Sequence, residues 1–232
     1  MRELTEELQA STSRHEPTSV GIRKKLSAVV LDFGNVISLP QDPESVREMA
    51  SLLGSPIESF VPLYFRHRSA YDSGEISDEE YWRILCEVTG TTYTDKLQET
   101  LVLVDHSGWS RINRTIIAWI ERLRQASIKT AILSNMPASF HRRVLARYDW
   151  IHLFDEVVIS GELGMIKPDA QIFRYTLARL GTSARETLFV DDLELNVEGA
   201  RLVGFEAVQF SDAPSLGFVI ADRYDLPPVV VE

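Results

Sequence analysis

Short apolar runs alternate with segments of helical periodicity along most of this chain. The stretches between the runs repeat apolar residues every three or four positions, as at Ile116, Ile120 and Leu123, which predicts amphipathic helices. The runs themselves are short and continuously apolar, which predicts strands that are covered on both faces. Alternating strands and helices predict an α/β fold with a doubly wound parallel sheet. The predicted strands occupy residues 26–33, 128–135, 155–160, 187–192 and 205–210.

The alternation is interrupted between the first strand and a helix that begins near Asn113. About 75 residues there show no strand pattern, and a structureless loop of that length is improbable in a compact domain. Ser77 and Glu80 have the spacing of a capping box, which predicts a helix over residues 77–90. The patterns of residues 42–54 and 56–74 are also helical. The sequence therefore predicts an inserted helical subdomain.

The insertion divides the chain into predicted units. Residues 26–39 and 107–232 are expected to form the α/β core, and residues 40–106 a helical cap. The insertion follows the first strand, so it should hang from the carboxyl end of the sheet, where ligands bind in such folds. We therefore expect it to act as a lid over the site. Residues 1–25 are polar and are predicted to form a mobile extension.

Composition narrows the range of partners. With 24 basic and 34 acidic residues the net charge is −10, which disfavours binding to nucleic acid or an anionic membrane through a general field. A small anion can still bind where local dipoles or a metal overcome that charge. The single cysteine, Cys86, excludes an internal disulfide and is predicted to be a buried small hydrophobic residue.

The apolar segments of the chain bear on where the protein is located. No apolar segment approaches the ~20 residues that a membrane-spanning helix needs. The first 25 residues lack the apolar middle of a secretory signal. We therefore expect a cytoplasmic protein, present as a monomer or a homodimer.

Polar side chains collect where the predicted strands end. Parallel strands bring their carboxyl ends to one edge of the sheet, so these side chains should meet there. A lysine in a loop before a later helix can approach the same edge. The set consists of Asp32 after the first strand, Ser134 and Asn135 after the second, Asp191 and Asp192 after a later one, and Lys167 in the loop.

This set suits phosphoryl transfer. Asp32 and Asp192 are hard oxygen ligands, and Mg²⁺ binds one or two carboxylates together with phosphate oxygens. Lys167 can neutralise a carboxylate or a phosphoryl group. The Ser134 hydroxyl and the amides that follow Asp32, including those of Phe33 and Gly34, can donate to phosphate oxygens. An attacking aspartate would form an aspartyl-phosphate.

The motifs resemble those of the haloacid dehalogenase superfamily. The order "LDFGNV", "LSN", "GMIKPDAQIF" and "VDDLELNVEGA" matches that family's four motifs over about residues 26 to 210. The resemblance implies a Rossmann-like core and a hydrolase that uses Mg²⁺. The cap segment "SGEISDEEYWRILCEVTG" resembles a subgroup of sugar-phosphate phosphatases whose first motif also reads D-x-G-N-V.

The resemblance also implies residue roles. Asp32 would be the nucleophile and a metal ligand, with the Gly34 carbonyl and Asp192 as further ligands. Asp191 would lie beside the metal and act through water or pair with Lys167. Further roles in that family fall on Ser134 and Asn135, which would hold the transferring phosphoryl group, on Lys167 of the third motif, and on Asn196, which would orient the acidic pair.

One position departs from the family's pattern. Most phosphatases of the superfamily carry a second aspartate where this chain has Gly34, and a general acid/base is typically worth about 10²–10⁴-fold. A good leaving group, such as the anomeric oxygen of a sugar 1-phosphate, would lessen the loss. A cap residue or water could also supply the proton, and the candidates in the cap are His67, Tyr71 and Asp72.

Other polar residues carry weaker signals. Arg66 and Arg68 are predicted to lie on a solvated helix face, with substrate contact as the alternative. The remaining histidines show no metal-ligand spacing and are expected to be isolated; they are His15, His106, His141 and His152.

The predicted function is a Mg²⁺-dependent phosphatase that acts on a small phosphorylated metabolite such as a sugar phosphate. A 2-haloacid dehalogenase needs no cation, so the Asp191-Asp192 pair would be an electrostatic cost to it. A non-catalytic descendant that binds a ligand is the other alternative, with Gly34 as the mark of lost activity. A mutase is disfavoured because it needs the missing acid/base in both half-reactions.

Overall fold

The computed structural model describes residues 23–231 and has a parallel sheet at its centre. The prediction of a mobile extension falls largely on residues 1–22, which lie outside the described range, as does His15. In chain order the strands are Lys24–Lys25 (β1), Ala28–Leu31 (β2), Lys129–Ser134 (β3), Glu156–Ile159 (β4), Thr187–Asp191 (β5), Glu206–Gln209 (β6) and Tyr224–Asp225 (β7).

Five of these strands form one sheet in the order β4-β3-β2-β5-β6, and all neighbouring pairs are parallel. Each of the five predicted runs contains one of them, so the predicted α/β fold is confirmed. Leu31, the last residue of β2, is in register with Ile132 of β3 and Val190 of β5. This register brings the residues after β2, β3 and β5 to the same edge.

The segment between β2 and β3 is helical. Its own hydrophobic core includes Tyr64, Tyr81, Trp82 and Leu101, and the predicted capping box of Ser77 with Glu80 is present. The helices are Pro43–Leu52 (α1), Ile57–Arg66 (α2), Arg68–Ser73 (α3), Asp78–Thr89 (α4) and Asp95–Gly108 (α5). We call α1–α5 the insertion; its predicted role as a cap and the predicted domain boundaries stay predictions.

The remaining helices cover both faces of the sheet. Ile116 and Trp119 pack on one face, and Phe173 and Val197 on the other, as expected for a doubly wound sheet. These helices are Arg114–Gln125 (α6), Ala138–Arg143 (α7), Ser160–Leu163 (α8), Ala170–Leu180 (α9), Glu194–Val203 (α10) and Ala213–Arg223 (α11). Three short 3₁₀ turns span Leu145–Arg147, Asp149–Leu153 and Ala184–Glu186.

The insertion contacts the core through α3 and α4. The Ser160 hydroxyl donates to the main-chain carbonyl of Asp72, and the Ser139 hydroxyl donates to the Asp78 carboxylate at 2.8 Å. Gly74 has a φ of +78°, and a Cβ there would lie 2.7 Å from the Gly161 carbonyl oxygen. Only glycine permits both that conformation and that approach, so this contact fixes how closely the insertion sits on the sheet.

Several sequence predictions need correction. Lys24 and Lys25, assigned to the mobile extension, form β1 because they pair with β7 near the other end of the chain. The helical pattern of residues 56–74 is broken at His67, which separates α2 from α3. Helices α7, α8 and α11 were not predicted, and α5 lies in the predicted helical insertion but outside its three predicted helical segments.

Two smaller observations complete the fold. Cys86 is a free cysteine and buried, as predicted. None of the helices within residues 23–231 combines the length and apolar character that crossing a bilayer requires.

Candidate active site

Lys167 lies at the centre of the polar cluster at the carboxyl edge of the sheet. Its Nζ is 2.9 Å from Oδ1 of Asp32 and 2.6 Å from Oδ2 of Asp191, and only 1% of its side chain is exposed. Asp32 directly follows β2, and Asp191 is the last residue of β5. The predicted meeting of the loop lysine with these two strand ends is therefore present.

Three carboxylates lie together at this edge of the sheet. Asp32, Asp191 and Asp192 each offer an oxygen, and these oxygens all lie within 4.8 Å of one another. Lys167 pairs with only two of them, Asp32 and Asp191, so the cluster keeps an excess of negative charge, which a hard divalent cation would offset. The donor set, all carboxylate oxygen, fits Mg²⁺.

The pKa values reflect this crowding. Burial raises the pKa of Asp32 to about 7; Lys167 and the nearby Ser134 hydroxyl oppose the increase, and Asp191 adds to it. Burial also raises the pKa of Asp192, while a hydrogen bond from Asn35 lowers it. Burial would lower the pKa of Lys167, but its ion pairs with Asp32 and Asp191 raise it above the ordinary value. Lys167 is thus held in its charged form.

The partners of Asp191 indicate which of its two implied roles it plays. Asn196 Nδ2 donates to both of its carboxylate oxygens, at 3.0 and 3.1 Å, and the Leu193 amide donates to Oδ1 at 2.9 Å. Together with Lys167, these donors engage both oxygens of Asp191. Asp191 therefore pairs with Lys167, and Asn196 orients Asp191 rather than both members of the acidic pair.

Asn135 fixes the backbone of the lysine loop. Its Oδ1 accepts from the Lys167 amide at 2.9 Å, and its Nδ2 donates to the Lys167 carbonyl at 3.0 Å. Both ends of the Asn135 amide are therefore used to place Lys167. Its contact with a phosphoryl group stays a prediction, as does that of the buried Ser134.

The turn after Asp32 differs in one respect from the expectation. The Phe33 amide donates to Oδ1 of Asp32 at 2.7 Å, so it is already engaged and is not free to donate to a phosphate oxygen. The hydrogen bond forms because the Asp32 side chain folds back to cap the irregular turn Phe33–Ile37. The binding role predicted for Phe33 is therefore not supported.

Gly34 faces an aromatic residue that directly follows α5, the last helix of the insertion. A Cβ at Gly34 would lie 3.8 Å from Cζ3 of Trp109, which is ordinary van der Waals contact. Trp109 Nε1 points to the hydroxyl of Tyr64 at 3.5 Å. The space beside the position that lacks the second aspartate is therefore bordered by the Trp109 ring, a neighbour that the sequence analysis did not identify.

Two of the three predicted proton donors of the insertion are engaged elsewhere. Tyr71 donates to Asp78 at 2.8 Å, and Asp72 pairs with Arg68 at 2.9 Å. Burial raises the pKa of Asp72 to about 6, an increase that Arg68 opposes. Within residues 23–231, neither these two side chains nor His67 makes a hydrogen bond or ion pair to Asp32 or Lys167.

Arg68 corrects the prediction of a solvated arginine face. Its side chain is only 14% exposed and pairs with Asp105 at 3.1 Å. Its guanidinium carbon lies 5.0 to 5.8 Å from the centres of the rings of Tyr64, Tyr71 and Tyr81. Arg66 is exposed, as predicted.

One of the histidines that were predicted to be isolated has a charged partner. His141 Nδ1 lies 2.7 Å from the Glu162 carboxylate, so it is paired. His106 is buried against the Phe140 ring, and neither of its ring nitrogens has a hydrogen-bond partner.

Asn35 is the site residue that the sequence analysis missed. Its Nδ2 donates to Oδ2 of Asp192 at 2.8 Å, across a separation of 157 residues. The available signal was its place in the first motif, directly after Gly34.

Comparison with known proteins agrees with this arrangement of motifs. The sequence model of one protein family, the haloacid dehalogenase-like hydrolases, matches residues 26–204. This range includes Lys167 and every residue of the acidic cluster. The chain belongs to this family. The predicted superfamily is therefore confirmed, and the sugar-phosphate subgroup stays a prediction.

Curated relatives in this family are similar over most of the chain. Drimenol cyclase drtB of Aspergillus calidoustus is 28% identical over 79% of this chain, which spans only 34% of that relative. Phosphatase MT3486 of Mycobacterium tuberculosis is 29% identical over 78% of this chain and 86% of that relative.

A solved structure shares the fold of this hydrolase-family chain. It is a family enzyme of Bacteroides thetaiotaomicron, bt-2542, in complex with magnesium and inorganic phosphate. The TM-score is 0.67 with 22% identity, and the match covers 80% of this chain and 94% of that one.

Proposed function

We propose that this protein is a Mg²⁺-dependent phosphatase of small phosphorylated metabolites, with Asp32 as the nucleophile. The observation that carries the proposal is the cluster of Asp32, Asp191 and Asp192 at one sheet edge, with Lys167 paired to the first two. The similarity to phosphatase MT3486 supports the reaction class. A bound Mg²⁺, held by Asp32, Asp192 and the Gly34 carbonyl, would neutralise charge on the phosphoryl group.

The hydrogen bonds of Asp32 suggest which oxygen reacts. Lys167 and the Phe33 amide both donate to Oδ1, which leaves Oδ2 for bonding to phosphorus. As Oδ2 attacks, the bond from phosphorus to the leaving oxygen breaks, and that oxygen takes a proton from water, because Gly34 offers no acid. Water then hydrolyses the aspartyl-phosphate, which releases inorganic phosphate and restores the carboxylate.

The charge balance favours this reaction over dehalogenation. An aspartate that displaces halide from carbon needs no cation, and a second and third carboxylate beside it would only repel the anionic substrate. In phosphoryl transfer, a metal bound with the phosphoryl group would turn that repulsion into attraction. The retained Lys167 and its two ion pairs likewise support a catalytic role over a purely binding one.

A phosphate-release screen tests the proposed function. The panel holds sugar 1-phosphates, sugar 6-phosphates, nucleotides, a prenyl monophosphate and an aryl phosphate, each with Mg²⁺ and with a chelator. We expect release in the presence of Mg²⁺, loss of it with chelator, and recovery when Mg²⁺ is restored. Equal release with chelator, or halide release from chloroacetate without metal, would contradict the proposal.

The rates of hydrolysis within that panel should follow the quality of the leaving group. Because Gly34 offers no carboxyl group, substrates whose leaving oxygen is a good one should be hydrolysed fastest. We therefore propose a sugar 1-phosphate as the preferred sugar phosphate. The prenyl phosphate tests whether the Trp109 ring beside Gly34 favours an apolar leaving group instead.

Restoring the missing carboxyl group should change that order. Gly34 has a φ of −61° and a ψ of 132°, so Gly34→Asp is compatible with the backbone, and its Cβ would meet Trp109 at ordinary contact distance. We expect G34D to hydrolyse alkyl phosphates roughly a hundredfold faster, with little change for the aryl phosphate.

Gly34→Asn is the matched control, because it has the same size but cannot transfer a proton as an acid. Rates are measured as kcat for each substrate at saturating Mg²⁺. An equal gain in both variants would show that the effect is steric. An unchanged G34D would show that proton transfer does not limit the reaction.

A further inference from the structure

Asn35 has a backbone conformation that few side chains adopt. Its φ is +57°, and Ser127, at +60°, is the other non-glycine residue with positive φ in the described part of the chain. Asparagine tolerates this left-handed region better than most residues, but glycine does so at no steric cost. The backbone alone would therefore be satisfied by glycine, and the presence of asparagine must be explained by its side chain.

The Asn35 side chain joins the two loops that carry the proposed metal ligands. Its Nδ2 donates to Oδ2 of Asp192, so it connects the turn after β2 with the loop after β5. Asp192 is half-buried, and its neighbour Asp191 repels it. A hydrogen bond from a neutral amide to a carboxylate is strong and directional, and it adds no charge that would compete with a cation.

The Asn35 backbone also sets the direction of the Gly34 carbonyl. The peptide between the two residues is oriented by the ψ of Gly34, 132°, and the φ of Asn35. The turn is held by two further hydrogen bonds: the Asn35 amide donates to Oγ of Ser38 at 3.3 Å, and the Ser38 amide donates to the Phe33 carbonyl at 2.7 Å. Ser38 is fully buried, so its surroundings help to hold the turn in this geometry.

We propose that Asn35 is a positioning residue of the metal site: its side chain orients the Asp192 carboxylate, and its left-handed backbone orients the Gly34 carbonyl. The inference rests on the proposed function, because both groups are the ligands proposed for Mg²⁺. Asn35 itself is not a catalytic residue, since it acts through Asp192 and Gly34. Partners that orient metal ligands typically change metal affinity by about 10–100-fold when they are removed.

Two substitutions separate the two roles. Asn35→Gly keeps the left-handed backbone and loses the side chain, whereas Asn35→Ala loses the side chain and also disfavours the backbone conformation. Ser127→Gly is the matched control, because it places a glycine at the same φ in the exposed turn before β3, at the opposite edge of the sheet. Mg²⁺ binding to the full metal-free chain is measured by isothermal titration calorimetry, without substrate.

We expect N35G to bind Mg²⁺ about tenfold more weakly than the wild type, N35A more weakly still, and S127G with unchanged affinity. In the phosphatase assay, N35G should need correspondingly more Mg²⁺ but recover most of its kcat at saturating Mg²⁺. A residue with a merely structural role would lower kcat at every Mg²⁺ concentration. Thermal unfolding of N35A checks that it folds, and N35G tests the side chain independently of that outcome.

The possible failures are distinguishable. If the wild type binds Mg²⁺ and N35G binds it within twofold, the side-chain role is overturned while the proposed phosphatase stands. If a folded N35A matches N35G, the backbone role is overturned. If the wild type itself binds no Mg²⁺, the proposed metal site falls, and the role of Asn35 falls with it.

Discussion

Asp32→Asn should lower phosphate release by at least about a thousandfold at saturating Mg²⁺, because the amide cannot attack phosphorus. The substitution keeps the size of the side chain, and its Oδ1 can still accept from the Phe33 amide. Lys167 retains its ion pair with Asp191. We therefore expect a folded protein without turnover, as measured by steady-state phosphate release and thermal unfolding.

The covalent step can be observed directly in the same pair of proteins. Wild-type enzyme quenched in acid during turnover of a ³²P-labelled substrate should carry label that hydroxylamine removes, and D32N should carry none. The control is Asp149→Asn, which neutralises an exposed aspartate and should leave both measurements unchanged. Turnover of D32N within tenfold of the wild type would exclude Asp32 as the nucleophile.

Lys167→Met should have the largest effect on stability, because it leaves Asp32 and Asp191 buried without their shared cation. Removing one partner of a buried ion pair typically costs about 3–5 kcal/mol of the free energy of unfolding. For a chain of this length, that corresponds to a melting temperature lower by roughly 10 °C. Activity should also be lost, since no cation would remain beside Asp32 except the proposed Mg²⁺.

Charge rather than shape should account for that loss of stability. Methionine has nearly the length of lysine, so the packing of K167M is preserved, and Lys96→Met provides the exposed control, with an expected change near zero. The double variant D32N/K167M has one carboxylate fewer and should be more stable than K167M in urea unfolding. If the two unfold at the same urea concentration, repulsion between the carboxylates is not the cause.

Much of the sheet and of the site could be predicted because the relevant signals are local. A run of apolar residues that ends in a carboxylate, as before Asp32 and Asp191, identifies both a buried strand and the edge where it ends. The turn residues at that edge directly follow these strands in the sequence. Lys167 could be assigned to the same site because a parallel sheet gathers its strand ends at one edge, and the loop that carries Lys167 can approach that edge.

The rest depended on contacts between distant segments. Asn35 and Asp192 are 157 residues apart, and the sequence around each of them gives no sign that they form a hydrogen bond. Arg68 lies in a polar stretch that is typical of an exposed helix, yet three tyrosine rings and Asp105 bury it. Lys24 and Lys25 form a strand only because Tyr224 and Asp225 lie beside them.

The separate hydrophobic core of the insertion has a consequence for how such a protein can change over time. Trp82 and Tyr81 pack among residues of α1–α5, whereas Trp119 and Phe173 pack against the sheet, so the two interiors tolerate mutation independently. In the proposed phosphatase, with the insertion as its predicted cap, substitutions within the insertion would change the selectivity for the leaving group while the carboxyl edge of the sheet stays intact. The range of substrates would then change without loss of the proposed chemistry.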